Sequence, residues 1–203
     1  MDLTIVNNII DTLYDDVSGY DLSYKARKKL EYYDRGFTYG EIVPESVKAF
    51  VKSIEPKEGE IFYDLGSGTG KGVLSAALLF PFGKVVGIEL LDDLHAAATS
   101  VLQRFNREIK PGLVLKKVPQ IEFHQGDFLN HDLSDGDILF AHATCFHDGL
   151  MRGLAKKLEG LKKGTKLLVV SQTIESPIYR LLARQEYKFS WGDATLHSYE
   201  KVV

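Results

Sequence analysis

Three carboxylates sit at matching places along the chain, at or just past the end of a short apolar run. Asp64 belongs to Ile61-Phe62-Tyr63-Asp64-Leu65, which runs into Gly66-Ser67-Gly68-Thr69-Gly70. Glu89 follows Val85-Val86-Gly87-Ile88, and Asp127 follows Ile121-Glu122-Phe123 by way of Gln125-Gly126. Glycines at positions 66, 68 and 70 let backbone turn sharply and approach a ligand without an intervening Cβ. A glycine loop alone would accept many nucleotides; the acid two residues before Gly66 narrows the choice. A dinucleotide would bring its pyrophosphate to the helix N-terminus that follows, where a carboxylate repels it. S-adenosylmethionine has no phosphate and carries a sulfonium and an ammonium, both drawn to a carboxylate. Glu89, 19 residues beyond Gly70, has the spacing of an acceptor for both ribose hydroxyls. Asp127 is placed to accept from the adenine amino group, with Phe128 covering the ring face.

These side chains need strands to carry them to one edge. From Glu60 onward, apolar runs alternate with helical patterns at Gly72 to Phe80, Asp92 to Arg107 and Asp148 to Leu161. Further strands are expected at Asp137 to Ala141, Lys166 to Val170, Tyr187 to Trp191 and Thr195 to Val202. The alternation predicts an α/β domain, a mostly parallel sheet wrapped by helices on both faces. Ligands bind at the carboxyl ends of strands in such sheets, where all three acids fall. The first 35 residues read as a small helical region, with Ile5, Ile9, Ile10 and Leu13 at helical spacing and a second helix from Ser23 to Tyr33, broken at Ser18-Gly19. Arg35 to Pro44 is rich in turn formers, and Glu45 to Ile54 is helical. The expected division is a helical extension over 1–35 and a cofactor-binding domain over 36–203.

Composition bounds the partners. The 203 residues carry a net charge of −3, with 44% hydrophobic and 26% charged residues, as in ordinary globular domains. Strong nucleic-acid binding is not expected from that balance; the basic clusters at Lys25 to Lys29, Lys116-Lys117 and Lys162-Lys163 are read as solvated faces. No apolar run reaches the ~20 residues of a membrane helix, and Met1-Asp2-Leu3-Thr4 lacks the basic start of a signal peptide. A single cysteine, Cys145, allows no intramolecular disulfide and points to a reducing setting, the cytoplasm or, in a eukaryote, the nucleus. The six histidines show no metal-ligand spacing, so no metal is expected.

Around this frame lie Phe37-Thr38-Tyr39-Gly40-Glu41, Gly126-Asp127-Phe128-Leu129, Ile138 to Phe146 and Phe189-Ser190-Trp191. From about Gly36 to Val202 the chain resembles the non-SET histone-lysine methyltransferases, the disruptor-of-telomeric-silencing (Dot-one) family. The Tyr-Gly-Glu loop ahead of the Asp-Leu-Gly-Ser-Gly loop is its most specific element. The resemblance implies a Rossmann-like class I methyltransferase with a seven-stranded sheet, using S-adenosylmethionine to methylate a protein lysine. It implies that Tyr39, Gly40 and Glu41 form a loop over the methionine end of the cofactor. Asp64, Gly66, Ser67, Gly68, Gly70 and Lys71 would line the glycine loop, Glu89 the ribose, and Asp127 with Phe128 the adenine. Phe146 and Trp191, with Phe37 and Tyr39, would wall the lysine channel.

Three departures accompany the match. Lys71 stands where the family commonly has glutamine, and His142-Ala143 stands where it commonly has Asn-Asn. Histidine changes charge near neutrality, which asparagine does not; a fall in turnover below about pH 6.5 is the expected signature. Family members that act on nucleosomes carry extra basic segments, and residues 1–203 contain none. Two other functions remain open at this level: a small-molecule N- or O-methyltransferase with His142 as general base, and a catalytically silent cofactor-binding protein.

Overall fold

The computed structural model describes residues 1–30, 35–113 and 118–203. Lys116-Lys117 and the end of the helix expected through Tyr33 lie outside them. In chain order the strands are β1 (Ile61–Leu65), β2 (Lys84–Glu89), β3 (Gln120–Gln125), β4 (Ile138–Ala141), β5 (Lys166–Val170), β6 (Tyr179–Phe189) and β7 (Gly192–Lys201). The helices are α1 (Leu3–Tyr14), α2 (Gly19–Lys28), α3 (Pro44–Ser53), α4 (Lys71–Leu79), α5 (Asp92–Arg104) and α6 (Asp148–Glu159). The strands form one sheet ordered β3-β2-β1-β4-β5-β7-β6. The first five are parallel, and β7 pairs antiparallel with both β5 and β6.

Period-two alternation sorts the central strands between two cores. Phe62, Val85, Ile138, Phe140 and Leu168 face α3 and α4. Tyr63, Leu65, Val86, Ile88, Leu139 and Val169 face α6 through Leu154 and Leu158. Both faces are covered, so these strands read as nearly continuous apolar runs. A third cluster joins Val6, Ile10 and Leu13 of α1 to Leu74 and Leu78 of α4 and Val101 of α5. The Asp2 side chain caps α1 by accepting from the Thr4 amide at 2.9 Å. The N-terminal helix is thus packed into the body of the domain.

Two elements differ from expectation. The second helix begins at Gly19, because Ser18 is its N-cap and accepts from the Asp21 amide at 3.3 Å. The penultimate strand runs from Tyr179, eight residues earlier than Tyr187. It is the sheet's edge, and Arg180 through Glu186 are exposed on both faces. No alternation marks such a segment; its ladder with β7, shifted between Leu181 and Ala183, defines it.

Candidate active site

The parallel registers bring the carboxyl ends of β1, β2, β3 and β4 to one edge. Leu65 pairs Ile88 and Ala141, and Glu89 pairs Gln125. Beyond that edge opens a cavity of about 250 Å³. Its lining includes Tyr39, Gly40, Glu41, Asp64, Gly66, Ser67, Gly68, Lys71, Glu89, Asp127, Phe128, His142 and Phe146. Fold topology therefore gathers residues spread over more than a hundred positions of sequence.

The glycine loop is held by main-chain bonds: the amides of Gly66 and Ser67 both donate to the Ile88 carbonyl, at 2.8 and 3.0 Å. Gly70 takes φ +83° as it enters α4, a left-handed value that favours glycine. A Cβ at Gly68 would meet the Tyr39 ring 2.5 Å away, so the Tyr39 loop lies directly on the glycine loop. The Tyr39 hydroxyl donates to Glu41 at 3.2 Å and lies 3.0 Å from the Thr69 hydroxyl. Burial and the Glu41 charge push its pKa up, so it stays a neutral phenol. Lys71 Nζ donates to Glu41 at 2.9 Å, and both side chains are only 18% exposed. Lys71 also lies over the Tyr14 ring, 4.9 Å from its centroid.

Asp64 is buried, and its Oδ1 has no hydrogen-bond partner. Burial first, and the neighbouring Glu89 charge second, push its pKa up to about 7. Glu89 accepts from the Gly68 amide with one oxygen and from the Leu91 amide with the other, both at 2.8 Å. Burial raises its pKa, and those amides act against the rise. Asp127 accepts from the Leu129 amide at 2.9 Å, capping a short turn. Its turn role and its place in the cavity lining coexist. Phe128 stacks on Phe146 with centroids 5.8 Å apart and an interplanar angle of 19°.

His142 stands immediately after β4. Burial holds its pKa down to about 4, so the ring is neutral at physiological pH. This corrects the expected titration near 6.5, and a neutral imidazole this weakly basic makes a poor general base at pH 7. Trp191 lies behind it, outside the cavity lining, stacked on Phe189 with centroids 5.4 Å apart. Phe146 and Trp191 thus belong to two separate aromatic pairs. Cys145 is a half-buried free thiol. Among the described residues no group of histidine, cysteine, aspartate and glutamate has metal-holding geometry.

Several contributors carried no sequence signal. Leu90, Leu91 and Leu94, at and after the end of β2, line the cavity as ordinary apolar residues. Tyr14 in α1 donates to the Thr69 carbonyl at 2.9 Å. Tyr20 opens α2 with its hydroxyl 3.2 Å from Ser190 Oγ, and its ring meets Tyr39 edge-on at 5.4 Å.

A family model described as "Histone methylation protein DOT1" matches residues 20–191. The chain belongs to the DOT1 family. Among its relatives is a histone-lysine N-methyltransferase, H3 lysine-79 specific, of Debaryomyces hansenii. It is 30% identical over 89% of this chain and 15% of that protein. The enzyme of the same description from Eremothecium gossypii is 29% identical over 66% of this chain and 24% of its own length. This DOT1 chain therefore spans between about a seventh and a quarter of those relatives. Among solved structures, an RNA methyltransferase from Salinibacter ruber, in complex with S-adenosyl-L-homocysteine, matches with a TM-score of 0.58 and 24% identity, covering 77% of this chain and 90% of that one. TrmN from Thermus thermophilus matches at TM-score 0.63 and 15% identity, over 83% and 52% of the two chains. At these identities the likeness is one of fold, the Rossmann-like class I methyltransferase fold.

Proposed function

We propose that this DOT1-family chain binds S-adenosylmethionine in the cavity over β1, β2 and β4 and transfers its methyl group to a lysine side chain of a protein. The observation that carries the reading is Asp64 Oδ1, a buried carboxylate oxygen without a partner, in a cavity also lined by the acids Glu41, Glu89 and Asp127. Such a site fits a cationic ligand with hydroxyl and amino donors, which the cofactor is. In this reading Asp64 takes the ammonium and Glu89 the ribose hydroxyls through its remaining lone pairs. Lys71, the one lysine or arginine among the described lining residues, takes the carboxylate. Ser67 Oγ, buried without a partner, is a further donor to the ligand. Asp127, Phe128 and Leu91 hold the adenine.

When bound, the cofactor supplies an electrophilic methyl on sulfur. The chain's own work is positioning and drying. The Tyr39 loop covers the glycine loop, and Phe146 and His142 exclude water along the approach, with Trp191 backing His142, which disfavours the ammonium form of an incoming lysine. The curated relatives are named for histone H3, so a histone is the first substrate to try. That setting is nuclear, and the expected cytoplasmic location finds no support in the relatives. No helix among the described residues is long and apolar enough to cross a membrane.

The test uses methyl-labelled S-adenosylmethionine with recombinant histone H3, nucleosomes and a lysine-free H3 variant. Label on lysine in the first two and none in the third is the expected outcome. Failure of the chain to bind the cofactor by calorimetry, or label only on small molecules, would overturn the reading.

A further inference from the structure

His142 is more confined than a wall residue needs to be. Its ring meets Phe189 at 5.3 Å and 72° and Trp191 at 5.5 Å and 85°, both edge-to-face. Gly40 closes the third side: a Cβ there would lie 3.0 Å from both His142 Cε1 and Trp191 Nε1. The loop carrying Gly40 is tied down in turn, since Ser190 Oγ donates to the Glu41 carbonyl at 2.9 Å. Inside this enclosure Nε2 is buried and has no hydrogen-bond partner. Buried polar atoms without partners are uncommon and point to a missing ligand or a stored cost. The ring's own main-chain carbonyl favours a proton on the nitrogen facing it. The absence of a partner at Nε2 fits the tautomer with the proton on Nδ1, in which Nε2 is a bare acceptor.

We propose that His142 Nε2 is a positioning acceptor that holds one N–H of the incoming amine, and thereby sets dimethyl-lysine as the ceiling of methylation. The inference rests on the lysine reading above. A primary amine has its lone pair for the methyl carbon and two N–H bonds, one of which Nε2 takes. The lone pair forms the N–C bond, the S–C pair returns to sulfur, and the methylammonium product carries the charge the sulfonium held. Loss of a proton to water then regenerates a neutral amine. A monomethyl amine still offers one N–H and is held in the same way. A dimethyl amine offers none: a methyl faces Nε2, and the aromatic and Gly40 walls leave it no room to turn. Asparagine at this position would carry both an acceptor oxygen and donor hydrogens; imidazole in this tautomer accepts only. Trp191, which closes one side of the ring, is itself 39% exposed.

The test has two arms. In the first, ¹⁵N-histidine spectra of the intact protein at pH 7 report the tautomer without any turnover. A pyridine-like Nε2 with Nδ1–H is expected, and an Nε2–H tautomer would overturn the inference by itself. In the second, histone H3 carrying unmodified, monomethyl or dimethyl lysine at position 79, the site in the relatives' names, is offered to wild type, His142→Phe and His142→Ala. The wild type should use the dimethyl form at least tenfold more slowly than the other two. His142→Phe keeps the bulk and loses the acceptor, so the first two rates should fall and the discrimination shrink toward parity. His142→Ala should form trimethyl-lysine. Wild-type transfer with equal use of all three forms, or discrimination retained in His142→Phe, would overturn this inference and leave the lysine reading standing. No wild-type transfer to any of them would remove both.

Discussion

Asp64 and Glu89 are neighbours whose burial makes both carboxylates reluctant to ionise together. With Asp64 held near 7, a cationic ligand binds the carboxylate form and must expel a proton below that pH. S-adenosylmethionine affinity should rise between pH 6 and 7.5 and then level. Calorimetry at pH 6 in buffers of different ionisation enthalpy should report net proton release on binding. Asp64→Asn should weaken binding at least tenfold at pH 7.5 and erase the pH dependence. Glu89→Ala should cost about 1–3 kcal/mol of binding, the cost of leaving ribose donors without a charged acceptor. It also removes the partner of the Gly68 and Leu91 amides, so its melting temperature without ligand should drop. An unchanged affinity in either variant would show that these acids shape the loop and do not hold the ligand.

At the scale of elements, sequence reads the N-terminal helices as an extension, whereas α1 packs on α4 and α5. Leu13 is fully buried in the cluster shared by α1, α4 and α5. Leu13→Ala should therefore destabilise the protein by about 2–5 kcal/mol, as large-to-small core substitutions do, measured by urea unfolding. Tyr14, next along the same helix, holds the Thr69 carbonyl in the glycine loop. Removing residues 1–18 should lower stability and cofactor affinity together. A truncated chain with wild-type unfolding and wild-type binding would show that α1 is an appendage after all.

For the molecule as a whole, acid acts on two buried groups in opposite senses. His142 has a folded pKa of about 4 against the ordinary histidine value of 6.5. Between those values the unfolded chain binds the proton and the folded one does not, so stability falls as pH falls from 6.5 to 4. Asp64 has a folded pKa of about 7 against 3.8. There the folded chain binds the proton first, so stability rises as pH falls from 7 toward 3.8. Each term is on the order of a few kcal/mol, and in wild type they oppose each other, with Glu89, also raised by burial, acting in the same sense as Asp64. His142→Asn should leave a protein whose stability grows on acidification from pH 7 to 5. Asp64→Asn should leave one whose stability shrinks, with His95 and His197, both also depressed by burial, adding to the loss. Denaturant midpoints at four or five pH values would read both slopes, and parallel profiles for the two variants would refute the assignment.

The order of strands and helices, and the three acids at strand ends, were legible from apolar runs and glycine spacing because local period and turn chemistry fix them. Family membership was legible in Tyr39-Gly40-Glu41 and Asp64 to Gly70, short runs whose residues act close to where they stand in sequence. The length of β6 was not, since an edge strand exposed on both faces has no alternation to read. Nor was the ionisation of Asp64 or His142. A pKa is set by what the fold packs around a group, and the partners here come from distant segments: Glu89 beside Asp64, and Gly40, Phe189 and Trp191 around His142. Sequence alone determined which side chains were available for chemistry. Tertiary structure decided which of them are dry, which are charged, and that the nitrogen left without a partner is Nε2 of His142, because desolvation and long-range contact exist only once the chain has closed on itself.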